Sequence, residues 1–389
     1  MGLALALIAL CFLVLFHELG HFLIARLCGI GVEVFSIGFG KKLCTFTHKG
    51  TQYALSLIPL GGYVKLKGLE YSADSRTSQF SQTLETPRTL ESASESKHIS
   101  KSPRTQSSDS YESKSPIVRL LVLLGGPVFN LLLGFLLYFG ICFNGVVGLA
   151  PVVGGLQEDS PAQKAGILAG DRIIKIEDEN IFLWQDISNA LQKHSSLSAL
   201  KFLIQRDSEN PESSNADSQT IELFITPFFR QGQNMFKEPQ TQAFIGIYTT
   251  QKAEVLDFSL LQSLQIAWRK TLESTHFVAQ SIAKLASGVV SVREVSGVVG
   301  MTNTLSHIAQ SDLVVFFGFC ALLSINLGLI NLLPIPLLDG GQILFVLYEM
   351  LTRKKPNERI LRLLSLLGLA FIVAIMLLGL FNDMTRLLY

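Results

Sequence analysis

Residues 2–27 end in "FLVLFHELGHFLIARL" (residues 12–27) and form an apolar run longer than the roughly 20 residues needed to cross a bilayer core. Backbone N–H and C=O groups in lipid must be satisfied internally, so such a run is read as a helix that packs with other helices. Within it stand His17, Glu18 and His21. Three ionisable side chains in a lipid span are expensive unless they pair with one another or bind something. On a helix the two histidines lie one turn apart on one face, so both imidazoles can reach one metal ion while Glu18 beside them can accept a proton from a water. A cleaved signal peptide is the rival reading, but the run lacks a basic n-region and continues to Arg26 without a small-residue cleavage site.

The chain is 48% hydrophobic and 16% charged, so its other apolar runs are also membrane candidates. Lys plus Arg (32) nearly balance Asp plus Glu (31), which offers no case for a nucleic-acid partner. Cys11, Cys28, Cys44, Cys142 and Cys320 are odd in number and scattered, against both a disulfide framework and a thiolate zinc site.

Several segments follow from patterning. A first membrane helix occupies 1–30. Residues 31–70 replace helical periodicity with β-branched and aromatic residues, and "HKG" (His48 to Gly50) supplies a turn between strands. This β-rich segment is expected to lie beside the first helix. Residues 71–116 are rich in Ser, Thr and charge and predict a disordered cytoplasmic loop. A second span covers 117–147, where "GGPVFN" (Gly125 to Asn130) suggests close helix contact or a kink. Residues 148–252 read as a soluble α/β module. Its clearest passage is "SPAQKAGILAGDRIIKI" (Ser160 to Ile176): a helix of about one and a half turns, a Gly170-Asp171 turn, and a strand. The polar stretch Asp207 to Gln219 reads as a loop between later strands.

Residues 253–311 are amphipathic and suit a helical region on or near the membrane surface. A third span, 312–352, is too long to be straight and is interrupted by "NLLPIPLLDGG" (Asn331 to Gly341); a fourth covers 361–383. The fold class is therefore a polytopic α-helical membrane protein of about four spans, with a membrane-associated β-rich segment and an inserted extracytoplasmic α/β domain. The short loop "TRKKPNERILR" (Thr352 to Arg362) and the loop after the first span are basic, which places both in the cytoplasm and the module and both termini outside it.

A hydrolytic zinc site usually needs a third protein ligand and an open position for water. Asp339 is the candidate, because Glu349 is close enough to the cytoplasmic end to snorkel. Asp339 precedes Arg353 by about 14 residues and His17 precedes Arg26 by about 9, or roughly 21 Å and 14 Å along a helix. Both depths fall within a bilayer core of about 30 Å, toward its inner half because the two prolines and two glycines of the interruption shorten the first figure. The alternative for Asp339 is a cap on the helix that starts at Gly340. Asn331, at similar depth, can bond a substrate backbone or satisfy carbonyls freed by Pro334 and Pro336. His48, His98, His194, His276 and His307 have no ligand spacing and read as surface residues.

With "HELGH" (His17 to His21), "GFG" (Gly38 to Gly40), "PLGGYVKL" (Pro59 to Leu66), "GGPVFN" and "NLLPIPLLDGG" in this order, the chain resembles a site-2 protease family intramembrane zinc metalloprotease. The bacterial type it resembles cleaves membrane-bound anti-sigma factors in the inner membrane. The resemblance implies His17, His21 and Asp339 as zinc ligands, Glu18 as the catalytic glutamate, and a β-rich segment that dips into the membrane to help hold a transmembrane protein or peptide substrate. The module resembles a bacterial PDZ domain, one copy only, able to bind an exported peptide or to act as a steric filter. Remnant signal peptides are a second substrate class. Two readings from other classes are a non-catalytic scaffold built on the PDZ-like module and a zinc carrier; neither requires Glu18.

Overall fold

A computed structural model of the chain describes residues 2–68, 108–194, 199–206, 219–236, 238–250 and 253–388. Most of the expected loop 71–116, the loop from Asp207 and His98 lie outside the described residues. The chain divides into two compact units, one of residues 1–138 with 269–389 and one of residues 139–268.

Four helices of the described residues are long and apolar enough to cross a membrane. These are α1 (Gly2–Leu27), α2 (Pro116–Phe143), α7 (Leu313–Asn331) and α9, which runs from Glu358 to Leu388. Pro116 opens α2 at a position where a missing N–H leaves no bond unmade. Where α1 and α2 cross, Gly20 and Gly125 touch backbone to backbone: a methyl on Gly125 would stand 2.8 Å from the Gly20 carbonyl oxygen. Small residues at the crossing let two helices approach this closely.

Between α1 and α2 lie β1 (Val32–His48) and β2 (Thr51–Leu66). The expected turn is present: His48 pairs with Thr51, and Lys49 and Gly50 both have positive φ, as a two-residue hairpin of this hand requires. The long strands double back, so residues 34–37 pair with 52–55 and also with 62–65. Ile30, Val32 and Leu66 pack with Ala25 of α1, Val122 of α2 and Tyr111. Burial raises the pKa of the Tyr111 phenol. The end of the expected disordered loop is thus ordered, because Tyr111 is buried in this core and Asp109 pairs with Lys67 at 2.9 Å.

The third apolar run is interrupted. After α7 an irregular stretch, 332–338, leads to α8 (Asp339–Thr352). In lipid every N–H of such a break needs an acceptor. Leu332, Leu333, Ile335, Leu337 and Leu338 all donate to carbonyls two or three residues back, and Pro334 and Pro336 have no N–H to satisfy. Glu349 does not snorkel: it accepts from the Arg119 guanidinium at 2.7 Å, an ion pair between α8 and α2. The amphipathic region is two helices, α5 (Leu260–Ala286) and α6 (Val298–Ser311), and Leu305 of α6 packs with Ala6 of α1 and Phe316 of α7. Asp383 of α9 accepts from the Gly297 and Gly300 amides at the start of α6.

In the second unit, β5 (Arg172–Ile176), β6 (Glu179–Asn180), β7 (Leu200–Arg206) and β8 (Gln219–Ile225) form a sheet in the order β6-β5-β7-β8. Ile173, Ile176, Phe202 and Ile204 form its core with Ile187 and Leu191 of α4 (Trp184–Lys193). The helix α3 (Pro161–Lys164) is a single turn, shorter than expected, capped by the Ser160 hydroxyl. Asp171, in the expected turn, is buried and accepts from the Leu168 amide and the Arg206 guanidinium, which raises the Arg206 pKa. Strand β12 (Ala253–Leu256) pairs with β3 (Val146–Leu149), so paired strands extend past the expected limits 148–252 at both ends.

The Arg119–Glu349 pair yields a stability prediction. Arg119→Met leaves the half-buried Glu349 without its guanidinium partner and should cost about 1–3 kcal/mol, read as a lowered unfolding midpoint in detergent. The double change Arg119→Met with Glu349→Leu should recover most of that loss.

Candidate metal centre

Helix α1 presents His17 and His21 on one face toward α2, and α8 begins at Asp339 directly opposite. The side chains of His17 and His21 are 7% and 12% exposed and that of Asp339 is 15% exposed. Three atoms converge. The two Nε2 nitrogens are 3.2 Å apart, and Asp339 Oδ2 is 3.3 Å from each of them. His17, His21 and Asp339 are the group of metal-ligating side chains found among the described residues.

These distances test whether a zinc ion fits. Tetrahedral coordination with bonds of about 2.0–2.1 Å separates neighbouring donor atoms by about 3.3–3.4 Å. The observed triangle has edges of 3.2, 3.3 and 3.3 Å. Asp339 Oδ2 is buried and has no hydrogen-bond partner among the described residues, although two imidazole nitrogens stand close by. A buried carboxylate oxygen without a donor needs a positive charge nearby. Two nitrogens and one such oxygen form a donor set suited to zinc. Asp339 does not act as the cap envisaged by the alternative reading: it is the first residue of α8, and its side chain points to the histidines.

Glycines make the room. A methyl on Gly126 would collide with His21 Nε2 and with the ring of His17. On the other side, methyls on Gly340 and Gly341 would overlap the Leu332, Leu333 and Ile335 carbonyls, so the break can fold tightly against the start of α8. Glu18 is not one of the three converging groups; its Cγ lies beside Gly62 of β2, where an added methyl would be 3.3 Å away. Asn331, at the end of α7, has Nδ2 3.1 Å from His17 Nε2, so this candidate also reaches the site. His48, His194, His276 and His307 do not.

The rings are held from behind. His21 Nδ1 is 2.8 Å from the Val122 carbonyl oxygen, so Nδ1 carries the proton and leaves Nε2 free to ligate. Asn130 stands 3.1 Å from His17 Nδ1. Sequence reading assigned Asn130 no role: an amide in an apolar run is visible there, but the atom of His17 that it faces is not.

With this geometry in view, a model of the peptidase family M50 matches residues 5–375 of the chain. The chain belongs to peptidase family M50. Among its relatives is a Helicobacter pylori protein named "Putative zinc metalloprotease", 39% identical over 98% of this chain and 99% of that one. A Campylobacter jejuni protein of the same description is 38% identical over 98% of this chain and 92% of its own length. The "Regulator of sigma-W protease RasP" of Bacillus subtilis is 28% identical over 96% of both.

Gly126→Ala should place a methyl against both imidazoles and lower the metal retained by the purified protein at least tenfold. Gly140→Ala on the same helix, whose methyl meets nothing within 4 Å, is the control and should retain metal as the unaltered chain does. Metal content per protein measures both.

Proposed function

We propose that the chain is an intramembrane endopeptidase that cuts transmembrane segments, with His17, His21 and Asp339 holding zinc and Glu18 as general base. Its M50 membership and the names of its relatives make it a zinc metalloprotease; the proposal concerns which residues do the work and on what. The observation that carries it is the triangle of two Nε2 nitrogens and one unpartnered carboxylate oxygen at tetrahedral spacing, its two histidines on α1, a helix long and apolar enough to cross a membrane. Zinc bound there supplies Lewis acidity to a water and to a scissile carbonyl. Glu18 takes the water's proton and passes it to the leaving amine.

A substrate helix has its carbonyls bonded internally, so it must unwind locally before it can be cut, and its freed backbone groups then need partners. The segment around Gly62, beside Glu18, is suited to supply them by strand pairing, and Asn331 adds an amide next to His17. The name of the Bacillus subtilis relative ties that protein to sigma-W regulation, and the substrate class taken here is a membrane-bound regulator of a sigma factor, with remnant signal peptides as a second class of the same chemistry. Lys355 lies 3.5 Å from Glu112, so the basic loop 352–362 and the segment before α2 share one end of the first unit. The basic charge of that loop is the ground for reading a bacterial inner-membrane protein with that end in the cytoplasm and the 148–252 module and both termini outside. The module is read as PDZ-like, receiving an exported peptide or excluding substrates with large external domains.

Two measurements test this reading. Glu18→Gln should lower cleavage of a membrane reporter by about 10²–10⁴-fold while zinc content is unchanged; undiminished cleavage would refute the assignment of Glu18. Reporters whose spans carry Gly or Pro near the cut should be cleaved faster than a uniform Leu span. Equal rates would remove the unwinding step.

A further inference from the structure

Asn130 projects from α2 at the crossing with α1 and is fully buried. Its backbone is fixed on two sides: its carbonyl accepts from the Ser324 hydroxyl of α7 at 2.8 Å, and its Cβ lies within 3.1 Å of where a methyl on Gly328 would stand. Helices α2 and α7 therefore set where its amide can go. Nδ2 lies 3.1 Å from His17 Nδ1, while Oδ1 is buried without a hydrogen-bond partner among the described residues.

That arrangement has a consequence for His17. If Nδ2 donates to Nδ1, the neutral ring must carry its proton on Nε2, the nitrogen that faces Asp339 at 3.3 Å; it then cannot ligate through Nε2, and its N–H would oppose the Asn331 amide nitrogen 3.1 Å away. The two ends of a primary amide are nearly alike in shape, and half a turn about Cβ–Cγ exchanges them. After that exchange the unpartnered Oδ1 accepts from Nδ1–H, and the Nε2 lone pair is turned to the site. One rotation satisfies the buried oxygen and gives His17 the same ring state that Val122 imposes on His21.

We propose that Asn130 is a positioning residue that accepts from His17 Nδ1–H through its side-chain oxygen and so holds Nε2 ready to bind metal. The assignment rests on the metal-site reading of His17, His21 and Asp339. Partners behind a ligating histidine are worth about 10–100-fold in metal affinity. Asn130→Leu keeps roughly the volume and removes the acceptor, whereas Asn130→Asp keeps an acceptor oxygen in place. A role in packing alone gives the opposite order, because leucine suits an apolar helix contact and a buried carboxylate does not.

The test is zinc titration of the full-length chain in detergent against a competing chelator. Asn130→Leu should bind zinc about 10–100-fold more weakly and Asn130→Asp at least as tightly as the unaltered chain. Unchanged affinity in Asn130→Leu, or an equal loss in both variants, would overturn the inference. His17→Ala separates the two levels. If it retains zinc the site reading fails, whereas zinc lost there but kept by Asn130→Leu removes only this assignment. Histidine nitrogen NMR of the unaltered zinc-loaded protein needs no variant: metal-bound Nε2 with protonated Nδ1 is expected, and a metal-bound Nδ1 would overturn it.

Discussion

Everything else in the first unit is arranged around the meeting of His17 and His21 with Asp339 across two helices. Each of these groups is costly inside a membrane, and together they present the charge and lone pairs that one divalent cation requires. The close crossing at Gly20 and Gly125 brings the histidine face of α1 against α2, and Gly126 leaves room for the rings. Folding the break over Gly340 and Gly341 brings Asp339 within 3.3 Å of both Nε2 atoms. The Arg119–Glu349 pair then ties α8, which carries Asp339, to α2, which carries Gly126 and Asn130.

The same constraint explains how irregular backbone persists in the third span. A peptide chain cannot leave N–H groups bare in lipid, and residues 332–338 do not: every N–H in the stretch finds a carbonyl nearby and the prolines bring none. On the function proposed above, a substrate helix opened for cleavage faces the same requirement. The β1–β2 segment and Asn331, both next to the catalytic candidates, have donors and acceptors that can answer it.

Much of this was legible in the sequence because lipid penalises polar residues so heavily. The apolar runs disclosed four helices long and apolar enough to cross a membrane, the i, i+4 spacing of His17 and His21 disclosed a shared face, and a depth estimate linked them to Asp339. The Lys49-Gly50 turn was legible from its residue types. Other features depend on partners that no local pattern reveals. Glu349 looked like a snorkelling residue because Arg119 is 230 positions away in the chain. Residues near 110 looked unable to order themselves, yet Tyr111 fills a core made by α1, β1, β2 and α2. Asn130 went unassigned because its importance lies in which atom of His17 it faces.

Anomalous scattering at the zinc edge from crystals of the unaltered protein tests the central claim most directly. The account predicts one zinc peak per chain within bonding distance of His17 Nε2, His21 Nε2 and an Asp339 oxygen. A zinc peak elsewhere, or one held by cysteine sulfur without Asp339, would contradict it.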